Sequence, residues 1–418
     1  MNLVAKLVRE KIGGNTMKLK KSLALLSASV LSIGILAACS TDSSNSSDSK
    51  KDVPEDGNSV IKIATQTPLS GGSAIIGESI RLGAQLKLEE ESAKFKELGY
   101  TLQLESYDDQ SDPKKGVSNA NIIGADESIL AVVGHYNSGV AIPSSEVYNK
   151  YNLAMITPGA TAVDITERGL KTVNRIVERD DGQGPAAAKY AVESLGAKKI
   201  FIIQDKTAFG TGVAEAFRGA AEKLGAEIVG FEGITVGEKD FNGVVNQVLS
   251  KKPDLVYFGG IYSEAGIIIK QSREKGIDVP FMGADGMDSS GLVDIAGEAV
   301  KNTFITSVAG ESTATEAGKK FVEAYKTAFK KDAEAFSVYG YDTMGVILHA
   351  IETAINDNGG KIPSREKVAE AIRATKDYQG ALTNVTFDEK GDNENAKIYL
   401  YKFDEAVYPG VLEGEVTP

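Results

Sequence analysis

The sequence predicts an α/β protein built as two doubly wound, Rossmann-like lobes. From Val60 onward, short apolar runs alternate with amphipathic stretches, the pattern of a parallel sheet covered by helices. The pattern comes twice, once up to about Arg175 and again from Lys198. Several apolar runs also end in clusters of Gly, Ser, Thr and Asp, at the strand ends where open α/β sheets bind their ligands.

In chain order, the first element is a leader. From Met17 the chain shows basic Lys18, Lys20 and Lys21, an apolar core from Leu23 to Ala38, then small residues, the three zones of an export signal. The core is short of the ~20 apolar residues a membrane span needs. Residues 1–38 therefore read as a signal peptide, with Met17 the better start. "LAAC", Leu36 to Cys39, resembles a bacterial lipobox, in which the cysteine thiol carries diacylglycerol; two acyl chains suffice for stable anchoring. Residues 39–59 have almost no apolar residue and read as a disordered tether spanning roughly 25 Å as a coil. A buried structural cysteine is the alternative for Cys39, the only cysteine in the chain. The expected location is the outer face of the cytoplasmic membrane.

Strands are expected at "VIKIATQTPL" from Val60, "TLQLESYDD" from Thr101, "ILAVVGH" from Ile129 and "LAMITP" from Leu153. The second set is "KKIFIIQD" from Lys198, "AEIVGFEGI" from Ala226, "DLVYFGG" from Asp254 and "VPFMGAD" from Val279. Between them lie helical patterns such as "ESIRLGAQLKLEEESAKFKEL", where Ile80, Ala84, Leu88 and Leu98 fall near one face. Any ligand pocket should be built from the loops "TPLSGGSA", "VVGHYNSG", "ITPGATAVD", "QDKTAFGTG", "YFGGIYSEAG" and "FMGADGMDSSG".

Charge and composition narrow the function. The whole chain carries −12, and without residues 1–38, whose six basic residues outnumber Glu10 by five, the charge is −17. Such acidity disfavours nucleic acid, whose binding rests on phosphate contacts. No nucleophile elbow, zinc signature, P-loop or dinucleotide fingerprint occurs, so no catalytic residue, metal or cofactor is expected. "DDQSDP" from Asp108 mimics the start of a calcium loop, but Pro113 stands where Gly is required; a strand-end turn capping the next helix is the other reading. His135 follows an apolar strand and reads first as packed or hydrogen-bonded, with a ligand contact or base as the alternative. His349 lies in a helical pattern and is expected to pack. A hydrolase using Ser138 with His135 is the rival from another class, although no acidic orienter stands at an evident spacing.

What the loops do offer suits a zwitterion. Ser138 opens a helix after a strand, where a hydroxyl and free backbone N–H groups can hold a carboxylate or simply cap the helix. Thr161 and the carbonyl of Gly159 lie in "PGATAVD", and Asp285 is a negative group at a strand end, equally readable as a loop carboxylate.

The segments "YDDQSDPKKGVSNAN", "VVGHYNSG", "MITPGATAVDITERG", "RDDGQGPAAAKY", "GITVGEKDF", "VYFGG" and "FMGADG", in that order across roughly Ile61 to Tyr401, resemble the Leu/Ile/Val-binding proteins of ABC importers, a family with the type I periplasmic-binding fold. The resemblance implies two lobes joined by a three-strand hinge, with crossings near Arg179, Ala309 and Thr383. The lobes would be 60–179 plus 309–383, and 180–308 plus 384–418. It implies that Ser138, Gly159, Ala160 and Thr161 hold the α-carboxylate and ammonium, that Asp285 pairs with the ammonium, and that hinge closure traps the ligand. Expected partners are a free neutral amino acid (leucine, isoleucine or valine) and the membrane subunits of an ABC permease, the protein acting as a monomer.

The side-chain end departs from the family. Tyrosines in familiar members are here Ile76, Phe209 and Ile261, with Tyr262 adjacent. Ile76 and Ile261 suit either a pocket wall or the core, and aromatic or small amino acids, amides and urea stay open as ligands, as does a sensor role. Some exported relatives place a cysteine pair at the positions of Ser111 and Asn137, so Cys39 is not the survivor of a lost bridge.

Overall fold

The computed structural model describes residues 59–418. The signal segment, Cys39 and the tether to residue 58 lie outside the described residues.

The chain opens with β1 (Ser59–Thr67), α1 (Ala74–Glu97), β2 (Tyr100–Asp108), α2 (Pro113–Ala125), β3 (Ile129–Gly134), α3 (Ser138–Lys150), β4 (Ala154–Thr157), α4 (Asp164–Glu167) and β5 (Val173–Arg175). These strands form one parallel sheet in the order β2-β1-β3-β4-β5. The central strands β3 and β4 are buried along their whole length, so they read as continuous apolar runs rather than alternating ones.

A second set follows: α5 (Asp180–Lys189), β6 (Lys199–Gln204), α6 (Ala208–Lys223), β7 (Glu227–Gly233), α7 (Asn242–Lys251), β8 (Leu255–Gly259), α8 (Tyr262–Glu274), β9 (Phe281–Gly283), α9 (Ser290–Ala296) and β10 (Thr303–Ser307). The chain then runs through α10 (Glu316–Phe329), α11 (Ser337–Asp357), α12 (Arg365–Arg373), the small ribbon β11 (Tyr378–Gln379) and β12 (Asn384–Val385), and the hairpin β13 (Ile398–Phe403) and β14 (Val411–Val416). The second sheet has the order β14-β13-β10-β9-β8-β6-β7, in which β13 alone runs antiparallel, to both β10 and β14.

Every expected strand is present. Three of those the pattern did not mark have physical reasons for hiding. β5 is three residues long, and β13–β14 is an antiparallel hairpin that breaks the strand–helix alternation. His349 differs from expectation: it is exposed on α11, its ring 5.7 Å from that of Tyr378.

α11 returns to the first lobe and packs along α1 through a reciprocal pair of glycines. A Cβ on Gly83 would stand 1.9 Å from the carbonyl oxygen of Ser337, and one on Gly340 would stand 2.2 Å from that of Ile80. The two backbones approach closer than any side chain would allow.

The lobes are joined three times. The first passage lies between β5 and α5, and the second follows β10. The third leads into β13; before it, Arg175 donates its N–H to the carbonyl of Gly391 and accepts from the N–H of Asn393. Residues up to Asn393 thus stay attached to β5. A buried cluster fixes this junction. Arg175, with no exposed surface, donates through Nε to Asp392 Oδ1 (2.8 Å) and through its terminal nitrogens to the carbonyl of Ala162 and the Thr166 hydroxyl.

Candidate functional site

Parallel strands aim their C-terminal loops in one direction, and here two such sets of loops meet. A cavity of about 330 Å³ lies between the lobes, walled on the first lobe by Tyr136, Asn137, Ser138, Val140 and Gly159 and on the second by Asp205, Phe209, Val236, Ile261 and Asp285.

The first lobe contributes donors. α3 begins at Ser138 behind Asn137, whose side chain makes no capping bond. The carbonyl of Asn137 takes the N–H groups of Val140 and Ala141, so the amides of Ser138 and Gly139 form the open positive end of the helix. The Ser138 hydroxyl accepts from the N–H of Ala162 at 3.2 Å, which fixes it against the loop after β4. In that loop Thr157 Oγ1 accepts from the amides of Gly159 and Ala160, and Gly159 lines the cavity.

The second lobe contributes acids. Asp285 is 2% exposed, and Gln183 Nε2 donates to its Oδ1 at 2.8 Å. Burial, then the charge of Asp180, push the Asp285 carboxyl well above its usual range, against the pull of the Gln183 bond. Asp180, the first residue of α5, is pushed up to about 7 by burial. Neither of its oxygens has a well-formed hydrogen bond, although the nearby Thr161 hydroxyl holds the shift back. Asp205 rises to about 6, again by burial. An unpaired buried carboxylate is costly; Asp205 and Asp285 line the cavity, and Asp180 lies near enough for its charge to act on Asp285.

Of the residues expected in the pocket, Ser138, Gly159, Phe209, Ile261 and Asp285 line the cavity. Ala160 and Thr161 are fully buried behind the wall, Thr161 accepting the N–H of Asp180 through its carbonyl. Ile76 is fully buried in the main core cluster and Tyr262 packs across Gly291 with its hydroxyl toward the backbone of Ile75; neither lines the cavity. Asp180, Gln183, Tyr136 and Asp205 escaped sequence reasoning. The first two sit in "RDDGQGP" and Asp205 is the second residue of "QDKTAFGTG", and only the fold brings them together.

"DDQSDP" spends its carboxylates locally. Asp108 accepts from Leu69 N–H and Ser70, and Asp112 accepts from Lys114 and Lys115 N–H to cap α2. His135 does find an acid, Nδ1 lying 3.3 Å from Asp109 Oδ2. The ring is fully buried and stacked on Tyr148, and no hydrogen bond joins it to Ser138. That arrangement packs a strand end.

With this geometry in view, comparison with known proteins gives the family. The periplasmic binding protein family matches residues 60–407. This chain is a member of that family. It is 36% identical over 344 residues to the Leu/Ile/Val-binding protein BraC3 of Rhizobium johnstonii, covering 82% of this chain and 92% of that one. It is 34% identical over 343 residues to the leucine-, isoleucine-, valine-, threonine-, and alanine-binding protein of Pseudomonas aeruginosa, covering 82% and 90%. Among solved structures, the leucine binding protein LivK of Thermotoga maritima superposes with a TM-score of 0.78 at 29% identity, over 86% of this chain and 99% of that one. The substrate binding protein LivJ of Streptococcus pneumoniae, solved with isoleucine, gives 0.77 at 25% identity, over 86% and 100%.

Proposed function

We propose that this periplasmic binding protein captures a neutral amino acid with a branched aliphatic side chain between its lobes and delivers it to an ABC permease. The observation that carries this is the opposed chemistry of one cavity: the open end of α3 on the first lobe and buried Asp285 on the second. A zwitterion satisfies both. Its α-carboxylate meets the Ser138 and Gly139 amides and its ammonium meets Asp285, with Asp180 close behind. The cavity sits at the small end of the ~300–1,000 Å³ common for small-molecule sites, in keeping with a single amino acid. Val140, Phe209, Val236 and Ile261 supply an apolar wall suited to an aliphatic side chain. The names carried by BraC3, LivK and their relatives support the same ligand class.

Because the ligand touches both lobes, it favours the closed arrangement by its differential affinity for it. Anchoring through lipid on Cys39 would hold the monomeric protein at the outer face of the membrane beside its permease. Cys39→Ala should then move the protein from the membrane fraction to the medium.

Calorimetric titration of the protein with each of the twenty amino acids tests the main reading. Heats confined to neutral amino acids with small or branched side chains are expected; a flat response to all twenty removes it.

A further inference from the structure

We infer that the cavity carries a second polar subsite, formed by Tyr136 from the first lobe and Asp205 from the second, that hydrogen-bonds a hydroxyl on the ligand's side chain. It rests on the reading of the cavity as an amino-acid site and sharpens it: a hydroxylated neutral amino acid such as threonine is favoured over its apolar isostere valine.

Both residues line the cavity, and neither is needed for the zwitterion's two charges as assigned above. Tyr136 is 5% exposed, and its phenol oxygen has no hydrogen-bond partner. The ring has no freedom to search for one. It stands edge-on to Phe336, centroids 5.5 Å apart at 76°, and lies across Gly159, where a Cβ would come within 2.8 Å of Cδ2. Asp205 is 2% exposed. Its Oδ1 accepts from the N–H and hydroxyl of Thr207 at 2.9 and 2.6 Å, whereas Oδ2 has no partner.

The free oxygen of Asp205 lies at the Asp285 end of the cavity. It stands 3.1 Å from where a Cβ on Gly260 would be, and the carbonyl of Gly260 in turn faces Gly286, next to Asp285. Tyr136 is close enough that the charges of Asp285 and Asp205 both push its phenol upward, after the larger effect of burial.

The donor and acceptor inventory then selects the ligand group. A phenol offers one proton, and a carboxylate oxygen accepts one. A single hydroxyl accepts from the first and donates to the second. A methyl group in its place leaves both buried oxygens unsatisfied, and sites built to bond a hydroxyl discriminate against analogues that lack it.

Threonine and valine have the same shape, so their affinity ratio isolates the hydroxyl. Titrating the full chain with L-threonine and L-valine should give threonine tighter by ~10-fold, the effect of one well-placed hydrogen bond. The ratio should fall to about one in Tyr136→Phe. Valine binding as tightly as threonine to the unmodified protein overturns the subsite without any variant, and so does a ratio that survives Tyr136→Phe. If valine binds and threonine does not, the subsite alone falls. If no neutral amino acid binds, the amino-acid reading falls and takes the subsite with it.

Discussion

Gln183 grips Asp285 at two points. Its side-chain amide donates to the carboxylate Oδ1 and its side-chain carbonyl accepts the Asp285 backbone N–H, both at 2.8 Å. The two residues are 102 positions apart, one on α5 and one after β9. The second lobe thus presents its carboxylate in one orientation before any ligand arrives, which lowers the ordering cost of binding.

Removing that carboxylate should be severe. In Asp285→Ala the ligand's ammonium is buried without its partner, at ~3 to 5 kcal/mol, a loss of ~100-fold or more in affinity. Gln183→Leu keeps the carboxylate but frees it, and the expected loss is smaller, ~10-fold. Calorimetry with leucine measures both; equal losses would show that Gln183 does more than orient.

Acidity should act on stability and on binding in opposite directions. Asp180 and Asp205 are raised to about 7 and about 6 from 3.8. Between these values the folded, unliganded protein holds more protons than the unfolded chain. Their contribution to stability is therefore complete below about pH 4 and is lost as pH rises through 6 to 7. For Asp180 the upper bound is roughly 4 kcal/mol. Denaturant titrations from pH 5 to 8 should show a flatter decline in Asp180→Asn than in the unmodified protein.

The ligand reverses the sign. An ammonium favours ionised carboxylates, so affinity should weaken as pH falls below about 7. Binding near pH 6 should release protons. Calorimetry in two buffers of different ionisation enthalpy reads that release; identical heats in both would remove the acids from the site.

The junction behind the site is held by charge. Asp392→Ala leaves Arg175 buried without its carboxylate, and such a loss costs ~3 to 5 kcal/mol. The double variant Arg175→Met with Asp392→Leu removes both charges and should recover a large part of it. Thermal unfolding of the three proteins checks the order.

Close packing makes a further prediction. Gly83→Ala inserts a methyl where only 1.9 Å separates it from the Ser337 carbonyl, so α1 and α11 must move apart. Overpacking of this kind costs ~1–3 kcal/mol, readable as a lower denaturant midpoint. An unchanged midpoint would mean the helices slide without cost.

The alternation of apolar runs and Gly-rich strand ends made the architecture legible, because parallel strands buried on both faces leave a dense apolar record. Ser138 was legible as well, since a helix that starts just after a strand announces its own open amides. The acids were harder. Asp180 and Asp205 look like first-turn and turn residues in sequence, and nothing local distinguishes a solvated aspartate from one sealed between lobes. Ile76 and Tyr262 show the opposite difficulty: neither a family position, as for Ile76, nor adjacency to a pocket residue, as for Tyr262, decides which way a side chain turns. A single β-bridge, Arg175 to Asp392, ties residues beyond the last helix to β5, a contact that nothing in the local sequence marks.

That bridge also bears on the order in which the molecule can assemble. The first lobe takes its sheet from residues 59–175 but its covering helices α10 to α12 from residues 316–373, and its closing ion pair spans 217 positions. The inner strands of the second lobe, β6 to β10, come from one unbroken stretch. During synthesis, the middle of the chain can therefore collapse on its own contacts while the earlier part waits for the tail, and long waits of this kind are where chains aggregate. The first lobe begins earliest, yet it waits until residue 392 for its closing contact.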